Sequence, residues 1–308
     1  MKTKVISSDE ILKVVEWLKQ GILVAIPTET VYGLAAPLFH LSVKEIFSLK
    51  GRPQDNPLIA HVSSIEMAEQ IGQNIPPLFY QLAKEFWPGP LTLIIEKKAT
   101  VPSIVSAGQS TIAIRMPSHP LALQIIEKVG QPLVAPSANL SGKPSPTCVQ
   151  HVLEDFDGKL AAVVDGGVCQ YGIESTVLSL VHPTPTLLRP GSIDRNRLEV
   201  ALGVKISDPQ KGGPILSPGM KYRHYAPKAK IQILREPPLS FYPKDTFILS
   251  RTKIDPFTHR SLQINTFYSY LREADEKKVD KIFILLDPES VKDEALMNRL
   301  NRAAGLIE

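Results

Sequence analysis

The segment with the clearest potential for chemistry is Lys50-Gly51-Arg52-Pro53. A residue before proline favours extended backbone, and in extended backbone residues i and i+2 point the same way. We therefore predict that Lys50 and Arg52 aim their charges at one spot, with Gly51 leaving room for a bulky anion such as a phosphate chain. The alternative is a solvated basic loop, which is what most Lys/Arg pairs are.

A polar loop is expected directly after a buried strand. Residues 22–26 predict the strand, and residues 27–34 follow it with the sequence Pro-Thr-Glu-Thr-Val-Tyr-Gly-Leu. Ligands of α/β proteins commonly bind in loops beyond the ends of such strands. The loop offers hydroxyls, including that of Thr28, together with a carboxylate and a phenol. It is either part of a binding site or a polar turn with a helix cap.

Arg115 lies in a predicted strand, residues 111–116, whose side chains alternate between two faces. Thr111, Ala113 and Arg115 share one face, and isoleucines and a methionine share the other. An unpaired buried charge is costly, so Arg115 needs a carboxylate or a phosphate that its planar guanidinium can bind with two hydrogen bonds. That partner is either a bound ligand or an internal Asp or Glu.

Three further segments carry the residue types that bind nucleotides. Residues 135–147 are rich in small hydroxyl and amide side chains, which can present donors to phosphate or ribose oxygens. Residues 173–177 repeat this chemistry on another strand, and residues 188–191 supply an arginine before a proline. The first segment is alternatively a tight surface turn that ends in a helix cap.

The elements that position these segments are mixed along the chain rather than strictly alternating. This pattern predicts an α/β fold with a large, mixed, twisted sheet and flanking helices. The composition changes near residue 204, where aliphatic residues become scarce. Strand-like runs and a final helix at residues 291–302 then predict a small α/β, Rossmann-like domain. We expect an N-terminal domain at residues 1–204, a linker at 205–229 and a C-terminal domain at 230–308.

The composition is that of an ordinary globular protein, with 308 residues, 43% hydrophobic and 21% charged. A net charge of +4 allows an RNA partner or anionic substrates and does not distinguish them. The two cysteines, Cys148 and Cys169, lack the spacing of metal ligands and argue against a disulfide scaffold or a structural zinc site. The sequence lacks an apolar signal core and a membrane-length apolar segment, so we expect a cytoplasmic protein without membrane partners.

Taken together, the motifs resemble the threonylcarbamoyl-AMP synthases of the two-domain type, whose larger domain is YrdC-like. The resemblance covers about residues 5–230 and is weak beyond them. Residues 217–227, Ser-Pro-Gly-Met-Lys-Tyr-Arg-His-Tyr-Ala-Pro, are similar to the linker that distinguishes two-domain members. The other matching segments are residues 27–33, 50–53, 56–58, 87–92, 114–117, 135–139, 173–176 and 188–191.

The resemblance implies an L-threonylcarbamoyladenylate synthase, a nucleotidyltransferase. Members of the family make threonylcarbamoyl-AMP and pyrophosphate from L-threonine, bicarbonate and ATP, with Mg²⁺ accompanying the ATP. The product is used to modify the tRNA adenosine next to the anticodon, so tRNA and the threonylcarbamoyl transferase complex are candidate partners. Both reacting groups are anionic, so the site must supply positive charge. The chain shows no nucleophile–base pair, and the reaction needs none because the carbamate is already an anion.

The resemblance also implies roles for individual residues. Lys50 and Arg52 would stabilise charge on the triphosphate as pyrophosphate leaves, without a covalent nucleophile, and no side chain is expected to bind a metal. His61 is alternatively a structural histidine. The expected ATP-binding residues are Lys50, Arg52, Thr111, Ser137, Asn139, Ser145, Arg189, His224 and Tyr225. The expected threonine-binding residues are Thr28, His61, Arg115, Ala135 and Ser175.

The linker is expected to act as a lid. Gly219, Tyr222, His224 and Tyr225 combine flexibility, aromatic rings and polar groups. We predict that the linker folds over the nucleotide and shields the labile adenylate from water, with His224 or a tyrosine in contact with the nucleotide. The alternative is a passive tether between domains.

Two rival functions are compatible with parts of the sequence. One is an RNA-binding module of the same fold without catalysis, which would show steep salt dependence and no nucleotide turnover. The other is a carbamoyl-adenylate-forming maturation factor. Factors of that type carry zinc fingers and an acylphosphatase-like module, and two cysteines cannot supply the zinc sites. The sequence leaves the oligomeric state open.

Overall fold

The structure, a computed structural model, describes residues 2–210, 224–236, 246–254 and 259–306. Within these ranges the strands form two sheets, one of ten strands and one of four. We call residues 4–202 the N-terminal lobe and residues 230–303 the C-terminal lobe. The predicted α/β architecture, a large mixed sheet followed by a small α/β unit, is confirmed.

The large sheet combines parallel and antiparallel neighbours in the order β1-β8-β2-β3-β7-β4-β6-β5-β9-β10. For example, β4 runs parallel to β6, whereas β5 runs antiparallel to β6. The strands described in this lobe are β1 Lys4–Ile6, β2 Val24–Ile26, β3 Gly33–Pro37, β4 Ile59–His61, β5 Leu91–Glu96, β6 Thr111–Arg115, β7 Leu133–Val134, β8 Ala162–Val164, β9 Thr176–Ser179 and β10 Thr186–Arg189.

Helices cover both faces of this sheet, as the two-residue side-chain period requires. In β2, Val24 and Ile26 pack with α1 and α5, whereas Ala25 faces the apolar cluster of α2 and α4. The strand is therefore apolar at every position and buried on both sides. The helices described here are α1 Ile11–Lys19, α2 Val43–Lys50, α3 Ile65–Glu69, α4 Pro77–Phe86, α5 Pro120–Val129, α6 Val149–Phe156 and α7 Arg195–Leu202.

The C-terminal lobe is a smaller α/β unit in which all described strands are parallel, in the order β11-β14-β12-β13. Its described strands are β11 Lys230–Leu234, β12 Phe247–Ser250, β13 His259–Ser261 and β14 Lys281–Leu285, and its described helices are α8 Phe267–Glu276, α9 Pro288–Lys292 and α10 Glu294–Ala303. The helix predicted at residues 291–302 is interrupted in the structure: residues 294–302 lie in α10, and residues 291–292 belong to α9. Asp293 has extended backbone and caps α10 by accepting the Leu296 N–H at 2.9 Å, which separates α9 from α10.

The two lobes share an apolar cluster. Val31 and Ile173 of the N-terminal lobe pack in the same buried cluster as Phe267, Tyr268 and Leu300 of the C-terminal lobe. The backbones also approach closely, because a Cβ added to Gly172 would lie 2.2 Å from the carbonyl oxygen of Asn265. The C-terminal lobe is therefore packed against the loops that carry the sequence motifs.

In the described part of the chain, every helix is too short or too polar to traverse a bilayer.

Candidate active site

Lys50 and Arg52 lie at the end of a helix, so the predicted extended backbone was wrong. Lys50 is the last residue of α2, and Gly51 closes the helix in the left-handed conformation with φ 61°. The Arg52 N–H returns to the Phe47 carbonyl at 2.9 Å. Glycine is favoured at position 51 by this conformation rather than by the space an anion needs. The helix end nevertheless brings both side chains to one cavity.

That cavity lies where the loops after β2, α2 and β7 meet the segment before β9 and the end of β10. Its volume is about 60 Å³. Eleven predicted site residues line it: Lys50, Arg52, His61, Arg115, Ala135, Ser137, Asn139, Ser175, Arg189, His224 and Tyr225. Segments far apart in the sequence therefore place their cationic side chains around a single space, as the sequence analysis expected.

The cations Lys50 and Arg52 are buried and donate to main-chain carbonyls. Lys50 Nζ lies 2.5 Å from the carbonyl oxygens of Ser137 and Asn139. Arg52 Nη2 donates to the Pro57 carbonyl at 2.8 Å. Burial, with the neighbouring Arg52 charge, holds the pKa of Lys50 well below its usual range. Burial likewise lowers the pKa of Arg52 to about 10. Burial therefore disfavours the charged form of both side chains, which main-chain carbonyl oxygens hold in place.

Arg189 completes this cationic group from β10. It is buried, and its Nε and Nη2 donate to the carbonyl and hydroxyl oxygens of Ser175 at 3.0 and 3.1 Å. The Ser175 hydroxyl also lies 2.7 Å from that of Thr92. Gly191 permits this arrangement, since a Cβ there would lie 2.4 Å from the Thr176 nitrogen. The end of β10 is thus held tightly against the start of β9.

Arg115 has an internal carboxylate partner, the second of the two alternatives left open by the sequence. Its Nη2 lies 2.5 Å from Glu29 Oε1, and both side chains are buried. Its Nη1 donates to the Thr30 hydroxyl at 2.8 Å and its Nε to the Gly89 carbonyl at 3.2 Å. Three of its five N–H groups are therefore used, and two are left for a ligand in the cavity.

His61 lies beside Arg115 in the sheet and is neutral. Burial and then the Arg115 charge lower the pKa of His61 to about 3. Its Nδ1 is 3.2 Å from the Ile59 carbonyl, so Nδ1 carries the proton and donates. The other ring nitrogen, Nε2, is consequently a hydrogen-bond acceptor. Nε2 of His61 can therefore accept a hydrogen bond from a hydroxyl or amine group of a ligand.

The loop after β7 is braced by its own side chains. The Ser137 hydroxyl donates to Asn139 Oδ1 at 2.6 Å. The Asn139 amide nitrogen donates to the carbonyls of Leu140 and Lys143, each at 2.9 Å. Ser137 and Asn139 line the cavity while holding the loop in shape.

Three predicted site residues do not line the cavity. Thr28 holds its own loop, with its hydroxyl donating to the Val31 carbonyl at 2.6 Å. Thr111 begins β6, paired with Glu96 at the end of the strand opposite Arg115. Ser145 lies behind the wall and donates to Glu174 Oε1 at 2.5 Å. These side chains support the cavity in this structure rather than face it.

His224 and Tyr225 close the cavity from the linker. Nε2 of His224 is buried and has no hydrogen-bond partner among the described residues, and burial lowers its pKa to about 4. Tyr225 has φ 65° and stacks on Tyr268 with ring centroids 5.2 Å apart. The next residue, Ala226, donates its N–H to the Gly142 carbonyl at 2.8 Å. The linker residues Gly219 and Tyr222 lie outside the described residues.

Sequence reasoning missed Glu174, which lines the cavity. This carboxylate accepts hydrogen bonds from Ser145, Tyr268 and Arg299. Glu174 lies directly before Ser175 in one of the matching motifs, and this position could have identified it. No motif pointed to its partners Tyr268 and Arg299 in the C-terminal lobe. The other cavity-lining residues outside the predicted set are Thr30, Val31, Ile59, Pro136 and Ser141.

The described residues contain no group of three or more His, Cys, Asp or Glu side chains that could hold a metal ion. Glu174 is the carboxylate among the described lining residues, and its oxygens already accept from Ser145, Tyr268 and Arg299. The other side chains around the cavity are mainly cations, hydroxyls and amides, so this set does not fit a resident Mg²⁺.

Two family models together match most of the chain. Residues 16–191 match the Sua5/YciO/YrdC model, whose description is "Telomere recombination". Residues 193–305 match the model "Threonylcarbamoyl-AMP synthase, C-terminal domain".

Individual proteins are similar over almost the whole length. A threonylcarbamoyl-AMP synthase of Bacillus subtilis is 43% identical, with 94% of this chain and 91% of the relative covered. The crystal structure of Pyrococcus abyssi Sua5 complexed with L-threonine is 38% identical with a TM-score of 0.88, covering 99% of this chain and 98% of that one. A variant of the same protein, with an adjacent histidine and tyrosine changed to alanine, has a TM-score of 0.90 at 38% identity, covering 98% of this chain and 96% of that one.

Proposed function

Because the chain belongs to the Sua5/YciO/YrdC family and carries the C-terminal domain of threonylcarbamoyl-AMP synthases, we propose that it makes threonylcarbamoyl-AMP. The substrates are L-threonine, bicarbonate and ATP, and the second product is pyrophosphate. The reaction class is nucleotidyl transfer. The product serves the threonylcarbamoyl modification of the tRNA adenosine next to the anticodon, and we place the protein in the cytoplasm with that process.

The observation that carries this proposal is the group of buried cations Lys50, Arg52 and Arg189 around one cavity. Burying the Lys50 charge is costly, and the depressed pKa of Lys50 reflects that cost. A triphosphate would bring several negative charges close to these three cations. The same cations then stabilise the charge that develops on pyrophosphate as it leaves. Mg²⁺ enters as part of the MgATP substrate, held by phosphate oxygens.

The chemistry proceeds in two bond-forming steps. The threonine ammonium group first releases a proton to solvent, and the free amine nitrogen then bonds to the carbon of bicarbonate as water leaves to give the carbamate. A carbamate oxygen then bonds to the α-phosphorus of ATP as the bond to the bridging oxygen of pyrophosphate breaks. Both reactants are anions, so the positive charge of the cavity lowers their mutual repulsion. Holding three reactants in one cavity supplies a further large part of the rate gain.

We propose that threonine binds at the Arg115 end of the cavity. The two unused N–H groups of Arg115 bind the substrate carboxylate. Nε2 of His61 accepts a hydrogen bond from the substrate hydroxyl. The paired Glu29 leaves this end of the cavity near neutral, which suits a zwitterionic amino acid. Ala135 and Ser175 complete the wall, and Thr28 acts by holding the loop that carries Thr30.

We propose that the nucleotide binds at the other end of the cavity, next to Lys50 and Arg52. Ser137, Asn139 and Arg189 contact it from the wall, and Ser145 acts from behind that wall through Glu174. Thr111 lies at the far end of β6, so we assign it no contact with the nucleotide. We propose domain limits at residues 1–204, 205–229 and 230–308 to describe this division of roles. Transfer of the product to tRNA by the threonylcarbamoyl transferase complex makes that complex, or tRNA itself, the proposed partner.

The proposed function predicts pyrophosphate release that requires L-threonine. We expect release from ATP and bicarbonate with threonine, and release at least about tenfold weaker with valine, because valine leaves the His61 acceptor unpaired. Pyrophosphate is measured continuously with a coupled assay. Release with carbamoyl phosphate in place of threonine would indicate the carbamoyl-adenylate chemistry instead. RNA binding without any pyrophosphate release would support the non-catalytic alternative.

We further propose that the linker acts as a lid through its described residues His224 and Tyr225. The cavity volume of about 60 Å³ is far below the ~300–1,000 Å³ typical of small-molecule sites. The small volume supports a wall that moves when ATP binds. His224 and Tyr225 form the wall that belongs to the linker, and the unpaired His224 Nε2 offers a ready contact for phosphate or ribose.

The lid predicts a loss of activity when His224 and Tyr225 are both replaced by alanine. We expect kcat/KM for ATP to fall by about 100-fold, since the adenylate loses its cover and the phosphates lose a positioning contact. The variant is expected to fold, because the Pyrococcus abyssi relative keeps this fold with an adjacent histidine and tyrosine replaced by alanine. The same kcat/KM in the variant and the wild type would make the linker a passive tether. Tyr80→Ala, an exposed tyrosine on α4, is the matched control.

A further inference from the structure

Arg299, on α10 of the C-terminal lobe, reaches into the wall of the cavity. Its side chain is fully buried, although arginine is seldom buried without a specific partner. Nε donates to Glu174 Oε2 at 2.9 Å, and Nη2 donates to the Glu174 carbonyl at 3.3 Å. Nη1 donates to the Pro190 carbonyl at 2.9 Å. One side chain thus binds the residues directly before Ser175 and directly after Arg189.

Glu174 is the carboxylate that Arg299 controls. It lines the cavity between the cationic side chains, and its two oxygens accept from Ser145, Tyr268 and Arg299. The Arg299 charge, followed by that of Arg189, keeps the pKa of Glu174 low despite burial, so the carboxylate is ionised. A bare carboxylate in this wall would repel a triphosphate.

Arg299 does not itself line the cavity, so it does not act by touching the nucleotide. It acts through Glu174, by cancelling a negative charge beside the phosphate site. It also lies 5.5 Å from the centre of the Tyr225 ring, which stacks on Tyr268. The C-terminal lobe therefore contacts the carboxylate of the wall and the aromatic ring of the lid with the same two side chains.

We propose that Arg299 is a positioning residue for ATP, through which the C-terminal lobe sets the charge and shape of the nucleotide wall. This inference rests on the proposed function, because it takes ATP as the anion that the cavity binds. Tyr268 assists by holding the same carboxylate and the Tyr225 ring. The C-terminal lobe is then a working part of the ATP site rather than an appendage.

The test is a double-mutant cycle on Arg299 and Glu174. Arg299→Met leaves the carboxylate unpaired, and we expect KM for ATP to rise at least about tenfold, with KM for threonine changed less than about threefold. Adding Glu174→Gln removes the unpaired charge and is expected to recover most of the ATP affinity. Failure of the second substitution to recover ATP affinity would overturn the proposal, and so would equal changes in KM for ATP and KM for threonine, which a merely structural role of Arg299 predicts.

Two further variants keep the test decisive. If Arg299→Met does not fold, Tyr268→Phe removes one donor to Glu174 while keeping the ring, and we expect KM for ATP to rise about threefold to tenfold. An unchanged KM for ATP in that variant overturns the proposal. Arg260→Met is the control, because it breaks an arginine–glutamate pair within the C-terminal lobe, to Glu273, and should leave both KM values unchanged.

The proposal and the proposed function fail in different ways. A wild-type protein that releases no threonine-dependent pyrophosphate overturns the function, and with it the inference. A wild-type protein that is active, together with Arg299→Met that has normal KM for ATP, overturns the inference alone. Binding of a non-hydrolysable ATP analogue, measured by calorimetry on the same proteins, must show the same pattern as KM.

Discussion

Replacing Lys50 with methionine is expected to reduce threonine-dependent pyrophosphate release by about 100- to 1,000-fold. Losing one preorganised group that stabilises transition-state charge has an effect of this size. Lys50 is 2% exposed and lies among Arg52 and the carbonyls of Ser137 and Asn139, so water cannot replace its charge. Initial rates at saturating ATP and threonine measure the loss. Activity within tenfold of the wild type would remove Lys50 from the catalytic role.

The free energy of unfolding of Lys50→Met, measured as a function of pH, distinguishes a loss of catalysis from a loss of folding. Burial lowers the pKa of Lys50 below that of the unfolded chain, so between these two values the unfolded state binds more protons than the folded state. The free energy of unfolding of the wild type therefore gains a contribution as pH rises through this window. We expect Lys50→Met to lack that gain and to be no less stable at neutral pH. Lys44→Met, an exposed lysine on the same helix, is the matched control for activity and stability.

Replacing Arg115 with methionine is expected to lower the free energy of unfolding by about 3–5 kcal/mol, because it leaves Glu29 as an unpaired buried charge. The double variant Arg115→Met/Glu29→Gln removes both charges and should regain most of that stability. Urea unfolding of the wild type, both single variants and the double variant gives the coupling free energy. A double variant as unstable as Arg115→Met would mean that the pair does not account for the loss.

The stable double variant then tests the threonine role of Arg115. We expect KM for threonine to rise at least about tenfold, the value of a lost hydrogen bond to a charged group, with a much smaller rise in KM for ATP. Equal increases in the two KM values would show that Arg115 is not the carboxylate ligand. The same experiment therefore separates a structural ion pair from a binding residue at one position.

Local patterns in the sequence were sufficient for the regular, strongly periodic elements. The strand predicted at residues 111–116 agrees with β6 to within one residue, because apolar and polar side chains alternate there. By contrast, β3 is Gly-Leu-Ala-Ala-Pro and lacks the residues that favour strands. Similarly, α7 is largely polar and gave no helical signal.

The candidate site was predictable to the extent that motifs identify it. The cations converge as expected, even though the backbone at Gly51 is a helix end rather than an extended segment. The sequence did not predict which side chains form pairs between the two lobes. Glu174 and Arg299 are separated by 125 positions. No local sequence pattern predicts this pair, because the contact depends on how the two lobes pack.

The apolar cluster that includes Val31, Ile173 and the C-terminal lobe bears on how such chains can recombine. A lobe taken from a related protein would meet these two side chains with a surface shaped for different neighbours. A C-terminal lobe with other side chains at this contact would therefore pack poorly beside the candidate active site, although each lobe has a sheet of its own.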